Sequence, residues 1–290
     1  MLEAVQVYSP SSITAALELL ADPNARPLAG GTDAMVRFRD GVLRPSAWVN
    51  LQSLRSELSY IRQEHGVIVV GSLTSFRELL DSPLLQTTAP LLLQAVGTIG
   101  GPQIRNMGTL GGNMGTASPA ADSLPALYAL DAWVSLISRA GTREVPIASF
   151  FLGPGRTALQ PGELIAGVRF APQASGERCT FEKLGLRAAH AITLVSAAIR
   201  LHPSQACIAL GAVGPTVMRV PAAEALLAQG PLNDTTIRQV AEATGNAANP
   251  ISDVRASASY RRAMARNLVT RGLIRFMGDA ASEVIPHAND

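Results

Sequence analysis

The chain has 290 residues, of which 47% are hydrophobic and 16% charged, so it is long enough for one large or two smaller globular domains. The net charge of +2 argues against a nucleic-acid-binding protein, and two cysteines with four scattered histidines are too few for a metal or iron–sulfur site. The N-terminus lacks a secretory signal and no apolar run reaches ~18 residues, so we expect a cytoplasmic chain without a membrane span.

The first fifty residues are predicted to combine helix and strand. Apolar residues spaced three and four apart predict a helix over residues 13–20. Residues 26–36 are predicted as a short strand that enters a glycine turn at Gly30 and Gly31 and leaves it as a second extended segment. The apolar run AWVNL predicts a further strand over residues 47–51.

Local signals predict the next three elements. The sequence YIRQEHGVIVVGS predicts a hairpin that turns near His65 and Gly66. Ser75 and Glu78 have the spacing of a capping box at the start of a helix. The run APLLLQAVGTI predicts a third helix over residues 89–99.

Residues 97–122 break this pattern, because they are rich in glycine and show little periodicity. The segment is too apolar for a disordered linker and too rich in glycine for a helix, so we expect a long ordered loop with a function. A helix is predicted to follow, capped by Asp122 or Ser123 and with Pro125 in its first turn.

Residues 171–179 are predicted to separate two domains, because this segment is polar and rich in Pro, Gly and Ser. Beyond it, strands followed by helices indicate an α+β domain of about one hundred residues. The predicted strands lie in residues 181–187, 192–202 and 206–214, and the predicted helices in residues 234–245 and 257–276. We expect Tyr260 and Arg261 to tie the last helix to its sheet.

Two glycine loops contain the residues with a chemical interpretation. The first is LAGGTD, residues 28–33, and the second is GTLGGN, residues 108–113, which continues to Asp122. Glycine lets the backbone approach a phosphate closely enough for several N–H groups to donate to it, and Thr and Ser hydroxyls add donors. Asp33 and Asp122 would repel a phosphate, so they either accept bonds from ribose hydroxyls or hold the loops in shape.

The residues alone leave simpler interpretations open. A single glycine pair is usually a tight turn, and neither loop matches the Rossmann or P-loop pattern. Asp122 suits a helix cap as well as a ligand, and Lys183 suits the end of a strand as well as a binding site. Arg105 could bind an anion or pair with an acid. On these grounds the chain is an α/β protein with a candidate nucleotide-binding loop pair.

Over nearly its whole length the sequence resembles the FAD-binding medium subunits of the molybdenum hydroxylases, the family of xanthine dehydrogenase and carbon monoxide dehydrogenase. LAGGTD and PQIRNMGTLGGNMGTASPAADSLPALYALDA resemble the two flavin loops of that family, and GPGRTALQPGELIAGVRF resembles the stretch that closes its flavin domain. FEKLGLRAAHAITLVSAAI, ALGAVGPTVMRVPAAE and ISDVRASASYRRAMARNL resemble its C-terminal domain.

The resemblance implies an α+β fold with two domains. Residues 1–173 would form an FAD-binding domain of the vanillyl-alcohol-oxidase (PCMH) type, and residues 178–280 a smaller α+β C-terminal domain. The flavin domain would consist of two subdomains, about residues 1–55 and 56–173, with FAD in the cleft between them.

The resemblance also implies, by position, the residues that bind FAD. The first loop and the start of the second would hold the pyrophosphate, three polar residues would reach the ribose, two would lie near the flavin loop, and the last three would contact the flavin ring. In that order they are Leu28, Ala29, Gly30, Gly31, Thr32, Asp33, Ala34, Met35, Thr109, Leu110, Gly111, Gly112, Asn113, Thr116, Ser118, Asp122, Ile99, Gln103, Ile165, Ala166 and Lys183.

The implied function is electron transfer through FAD within a larger complex. A molybdopterin-binding large subunit would hydroxylate the substrate, and a small subunit with two [2Fe–2S] clusters would deliver electrons to FAD, which would pass them to NAD, oxygen or a quinone. Two heterotrimers would pair. The run GPGRTAL is closer to members that oxidise purines or other N-heterocycles. The alternatives are a stand-alone flavin oxidase of a small alcohol or hydroxy acid, and a scaffold subunit without flavin.

Overall fold

A computed structural model describes residues 5–202 and 205–282. Within these ranges the chain has the predicted α+β fold, with a three-stranded, a five-stranded, a four-stranded and a two-stranded sheet. No helix in the two described ranges is long and apolar enough to cross a membrane.

The N-terminal sheet is parallel, and its strands have the order β1-β3-β2. Its elements are the strands β1 (Gln6–Tyr8), β2 (Arg26–Leu28) and β3 (Ala47–Asn50), the helices α1 (Ile13–Leu19), α2 (Ala34–Arg39) and α3 (Arg55–Leu58), and a 3-10 turn at Gln52–Leu54. Parallel neighbours need a crossover, which α1 and α2 supply. Helix α1 buries Ala16 and Leu17, so the predicted apolar face is confirmed.

The segment after the first glycine turn is helical, and the prediction of a second extended segment there is wrong. The helical hydrogen-bonding pattern begins within the turn, because the Met35 N–H donates to the Gly31 carbonyl at 3.1 Å. The sequence of α2 is AMVRFR, and among its residues only Phe38 is buried. A helix of six residues with one buried side chain is too short to show a helical period in the sequence.

The middle sheet is antiparallel, with the order β4-β5-β10-β6-β7. Its strands are β4 (Ile61–Glu64), β5 (Val67–Gly71), β6 (Trp133–Ser138), β7 (Gly141–Pro146) and β10 (Leu164–Phe170), while β8 (Phe151–Gly153) and β9 (Arg156–Thr157) form the two-stranded sheet. The predicted hairpin is confirmed, since His65 (φ 49°) and Gly66 (φ 83°) form the turn between β4 and β5. Two successive positive φ angles are typical of the type I′ turn, which two-residue hairpin loops favour.

Short helices pack beside the middle sheet. They are α4 (Phe76–Asp81), α5 (Pro83–Thr88), α6 (Pro90–Gly97), α7 (Pro102–Met107), α8 (Leu110–Thr116), α9 (Ser123–Ala129) and α10 (Ile147–Phe150). The predicted capping box begins α4: the Glu78 N–H donates to the Ser75 hydroxyl at 3.2 Å, and the Ser75 N–H donates to the Glu78 carboxylate at 2.7 Å. The predicted third helix is α6.

Two helices lie within residues 97–122, so the prediction of a long loop without helix is wrong. Pro102 occupies the first turn of α7, and the Thr109 hydroxyl caps α8 by accepting from the Gly112 N–H at 3.0 Å. Helix α8 has the sequence LGGNMGT, in which glycine lowers helix propensity. Its buried residues Leu110 and Met114 belong to the main apolar core, so tertiary packing offsets that low propensity.

The C-terminal sheet is antiparallel, with its strands in sequence order. Its strands are β11 (Arg178–Gly185), β12 (Thr193–His202), β13 (Gln205–Gly211) and β14 (Met218–Arg219), and its helices are α11 (Pro221–Ala228), α12 (Asp234–Ala247) and α13 (Ala258–Ser282). Helix α13 packs on β11 and β12 of this sheet. Two helices of the N-terminal half also contact it: α6 packs on β11, and α9 packs on β12 and β13. The predicted strands followed by helices are confirmed.

Arg261 ties α13 to its sheet, as predicted. Its guanidinium is almost completely buried, and Nη1 donates to the Leu194 carbonyl at 2.7 Å while Nη2 donates to Asp253 at 2.8 Å. The neighbouring Tyr260 is 45% exposed, and a role for it in this tie stays a prediction.

Candidate functional site

The first glycine loop, residues 29–33, joins the end of β2 to the start of α2. Gly31 has a φ of +71°, which lets the chain turn through a region that other residues rarely adopt. In the part of the chain that the structure describes, the backbone N–H groups of residues 29–33 donate no hydrogen bond. Successive free N–H groups in a tight turn form a concave, electropositive surface that suits phosphate oxygens.

The first loop lies against the end of α7. A Cβ atom on Gly30 would be 1.7 Å from the Met107 carbonyl oxygen, so only glycine permits this approach. The Thr116 hydroxyl at the end of α8 donates to Asp33 at 3.1 Å and joins the second loop to the first. The two glycine loops are therefore neighbours and form one candidate site.

The second loop uses its backbone donors within the chain. The Leu110 N–H donates to the Thr74 carbonyl at 3.0 Å and the Gly111 N–H to the Ser72 carbonyl at 2.8 Å. The Asn113 N–H donates to the Thr109 carbonyl at 3.0 Å, and the Gly112 N–H is engaged by the helix cap. In this structure the N–H groups of residues 110–113 are therefore engaged by α8 itself and by the chain after β5.

Gly111 has a structural reason to be glycine. A Cβ atom there would lie 2.4 Å from the Ser72 Cβ and 2.7 Å from the Ser72 carbonyl oxygen. Gly112 has more room, since its nearest neighbour would be the Thr109 hydroxyl at 2.9 Å. Close packing of α8 on the chain after β5 thus accounts for Gly111 without a ligand.

The remaining polar residues of the second loop also have partners. The Ser118 hydroxyl accepts from the Ala120 N–H at 3.3 Å, and the Asn113 side-chain oxygen accepts from the Ser123 hydroxyl at 2.6 Å. These contacts shape the turn between α8 and α9. Both side chains are only half-buried, so part of each remains accessible.

Asp122 and Lys183 form a buried ion pair between the two halves of the chain. Lys183 Nζ donates to Asp122 Oδ2 at 2.6 Å and to the Thr98 carbonyl at 3.1 Å. Asp122 Oδ1 accepts from the Thr193 hydroxyl at 2.5 Å. Burial raises the pKa of Asp122, while the charge of Lys183 and the bonds from Lys183 and Thr193 act in the opposite direction.

Asp122 occupies the capping position of α9, as predicted, but its side chain makes no capping bond. Of the two interpretations of Asp122, the structure supports a residue that holds the loop in shape. Thr193 was not predicted at all, and nothing in the apolar run of β12 marks its hydroxyl as a partner for a residue seventy positions earlier.

The other expected residues lie around this pair of loops. Ile165 is buried in β10, and its Cδ1 atom would be 3.9 Å from a Cβ on Gly115 in α8. Ala166 is half-buried and its carbonyl accepts from the Ser72 N–H at 2.9 Å. Ile99 is half-buried and precedes α7, on which Gln103 is exposed.

Arg105 is half-buried, and among the residues that the structure describes it forms no ion pair with an acid. Its Nη1 donates to three backbone carbonyls, those of Gly97, Ile99 and Gly100, at 3.4, 3.0 and 3.2 Å. It therefore shapes the turn between α6 and α7, and anion binding by this side chain stays a prediction.

The donor set fits a dinucleotide better than a metal or an acid–base catalyst. Across residues 5–202 and 205–282, no three His, Cys, Asp or Glu side chains are placed to hold a metal ion. The free N–H groups of the first loop fit a diphosphate, and the Thr116 hydroxyl adjoins this loop through its bond to Asp33. A phosphate-containing cofactor such as FAD is compatible with these residues.

Known proteins resemble both halves of the chain. The family described as "FAD binding domain in molybdopterin dehydrogenase" matches residues 3–173, and "CO dehydrogenase flavoprotein C-terminal domain" matches residues 180–276. The glyceraldehyde dehydrogenase medium chain of Sulfolobus acidocaldarius is 32% identical, over 90% of this chain and 94% of its own. The xanthine dehydrogenase FAD-binding subunit of Escherichia coli O157:H7 is 31% identical, over 90% and 92%.

Solved structures agree with the sequence matches. A structure of carbon monoxide dehydrogenase from Hydrogenophaga pseudoflava superposes with a TM-score of 0.90 at 30% sequence identity. The alignment covers 94% of this chain and 97% of that one. The similarity therefore includes both sides of the seam at which Asp122 meets Lys183.

Proposed function

We propose that this chain, which belongs to the family of FAD-binding medium subunits of the molybdenum hydroxylases, passes electrons from the [2Fe–2S] clusters of a partner subunit through FAD to an outside acceptor. The observation that carries this proposal is the run of free N–H groups in residues 29–33, which adjoins Met107 at the end of α7 and Thr116 at the end of α8. Together with the family, that surface supports FAD as the ligand.

The chain's own contribution is binding and orientation. The backbone of residues 29–33 would donate to the FAD pyrophosphate, and Thr116 and Ser118 would reach its ribose. The other residues named by resemblance, from Leu28 to Met35 and from Thr109 to Asn113, would line the same cleft. Ile99 and Gln103 would lie near the flavin loop, and Ile165, Ala166 and Lys183 would contact the flavin ring. FAD, when bound, supplies the ability to accept electrons singly and release them as a pair.

The complex would follow the arrangement that the family implies. We propose a molybdopterin-binding large subunit, a small subunit with two [2Fe–2S] clusters, and pairing of two such heterotrimers in the cytoplasm. The relatives are named for glyceraldehyde, xanthine and carbon monoxide, so one medium-subunit fold serves several substrates. From the run GPGRTAL we propose a purine or other N-heterocycle as substrate, and NAD, oxygen or a quinone as acceptor.

The experiment compares the purified chain with the complex it forms with its two partner subunits. We expect the chain alone to bind FAD, with absorbance near ~450 nm, and to leave purines, aldehydes and carbon monoxide unoxidised. Adding the partners should start substrate-dependent reduction of the flavin. A colourless chain that cannot take up FAD would support a scaffold subunit, and reduction of FAD by a small alcohol in the chain alone would support a stand-alone oxidase.

A further inference from the structure

Both oxygens of the Asp122 carboxylate accept hydrogen bonds from groups beyond residue 173. Its side chain is 8% exposed, and one oxygen accepts from Thr193 while the other accepts from Lys183. Lys183 is itself anchored on the opposite side by the Thr98 carbonyl. A buried carboxylate is costly unless it is paired and hydrogen-bonded, so each of these partners contributes to holding it in place.

What Asp122 holds is the turn that leads out of the second glycine loop. That turn begins at Ala117, whose φ of 48° ends α8, and it finishes at Asp122, where α9 starts. A second bond from the C-terminal half supports the same turn, since the Ala212 N–H donates to the Pro119 carbonyl at 2.8 Å. The C-terminal sheet therefore fixes residues 117–122 at two points.

The contact between the two glycine loops depends on this turn. Thr116 makes that contact from the last position of α8, directly before the turn begins at Ala117. Thr116 bonds Asp33 immediately before the turn, and Ser118 lies inside it. If Asp122 moved towards solvent, the end of α8 would lose its support and the two glycine loops would separate. The effect would be felt at the cleft although Thr193 itself is buried at the seam.

We propose that Thr193 is a positioning residue for FAD: by holding Asp122 against Lys183, it keeps the second glycine loop in contact with the first and so sets FAD affinity without touching the cofactor. This rests on the proposed binding of FAD between the two loops. The residue is distinct from those that the resemblance assigned to the cofactor, because it enters from β12 and bonds only to the carboxylate behind the loop.

The test is a double-mutant cycle on the full chain after removal of FAD, with FAD affinity measured by titration of flavin fluorescence. Thr193→Val removes the hydroxyl at nearly constant shape, and Thr193→Ser restores it. We expect Thr193→Val to raise the Kd for FAD about tenfold, since a hydrogen bond to a charged group is lost, and Thr193→Ser to stay within about threefold of the parent. In an Asp122→Ala background, Thr193→Val should add little, because the acceptor of the Thr193 hydroxyl is already absent.

Each result separates the inference from its premise. If the unaltered chain fails to bind FAD, the proposed function fails. If it binds FAD but Thr193→Val binds equally well, or if Thr193→Ser is as weak as Thr193→Val, the positioning role is overturned. Full additivity in the Asp122→Ala background would also overturn it, because Thr193 would then act on FAD by another route. Circular dichroism of each variant without FAD identifies any that are unfolded, and Thr193→Ala, which also removes the hydroxyl, replaces Thr193→Val if that variant does not fold.

Discussion

Gly30 is the residue at which the two glycine loops meet. Sequence reasoning attributed its lack of a side chain to the approach of a phosphate, but the structure shows a carbonyl oxygen, that of Met107, where its Cβ would stand. The glycine is therefore required before any ligand arrives. The phosphate-binding property lies instead in the free N–H groups that this approach arranges.

We predict that Gly30→Ala weakens FAD binding by tenfold or more, because a methyl group 1.7 Å from the Met107 oxygen must push the loops apart. Titration of the apoprotein with FAD measures the change. Gly230→Ala is a matched control, since no atom lies within 4 Å of its added Cβ and it is remote in sequence from both loops. Equal FAD affinity in the two variants would contradict the loop contact.

The two cysteines are expected to be unreactive in the folded chain. Burial raises the pKa of Cys207 to about 11 and also raises the pKa of Cys179, so both remain thiols near neutral pH. Because the thiolate is the reacting form, we predict slow alkylation of Cys207 at pH 8 and faster alkylation as the pH approaches 11. Intact-mass measurement after iodoacetamide treatment checks this, with the denatured chain as control. Rapid labelling of native Cys207 at pH 8 would show that its thiol is not buried and that its pKa is not raised.

At the level of elements, sequence patterns predicted those with a local cause. The hairpin at His65 and Gly66 and the capping box at Ser75 and Glu78 follow from two or four neighbouring residues, and both are confirmed. Helices α7 and α8 could not be predicted in this way. The glycines of α8 disfavour a helix locally, and the packing that stabilises it comes from β10 and the core, which the local sequence does not contain.

Helix α9 shows how much of the candidate site depends on distant residues. All seven of its residues are buried, and its start is held by Lys183 and Thr193 through Asp122. Its end is held by two arginines of the C-terminal sheet: Arg200 donates to the Ala129 carbonyl at 3.0 Å, and Arg219 pairs with Asp131 at 2.6 Å. The sequence could indicate the glycine loops, because glycine reports on the conformation of its own stretch of chain. It could not indicate these four partners of α9, because none of them lies within about fifty residues of the helix.

The whole molecule is predicted to unfold as one unit although it contains two predicted domains. Helix α9 belongs to the N-terminal half in sequence, yet both of its ends and one of its faces are bound by the C-terminal sheet. Loss of either half would expose those buried surfaces, so the free energy of unfolding is shared. The proposed boundary near residues 171–179 would then separate two sheets of the fold but not two units that unfold independently.

Two optical signals can test this coupling in the chain without FAD. The only two tryptophans are Trp48 in β3 and Trp133 in β6, so fluorescence follows the N-terminal half, whereas far-UV circular dichroism is weighted towards the long helices α12 and α13 of the C-terminal half. We predict coincident midpoints in urea. Arg219→Met should lower the free energy of unfolding by about 2 kcal/mol, because Glu224 and Asp131 lose a charged partner. The midpoints of both signals should therefore fall together. Separate midpoints for the two signals in the unaltered chain would mean that the halves unfold independently, and α9 would not couple them.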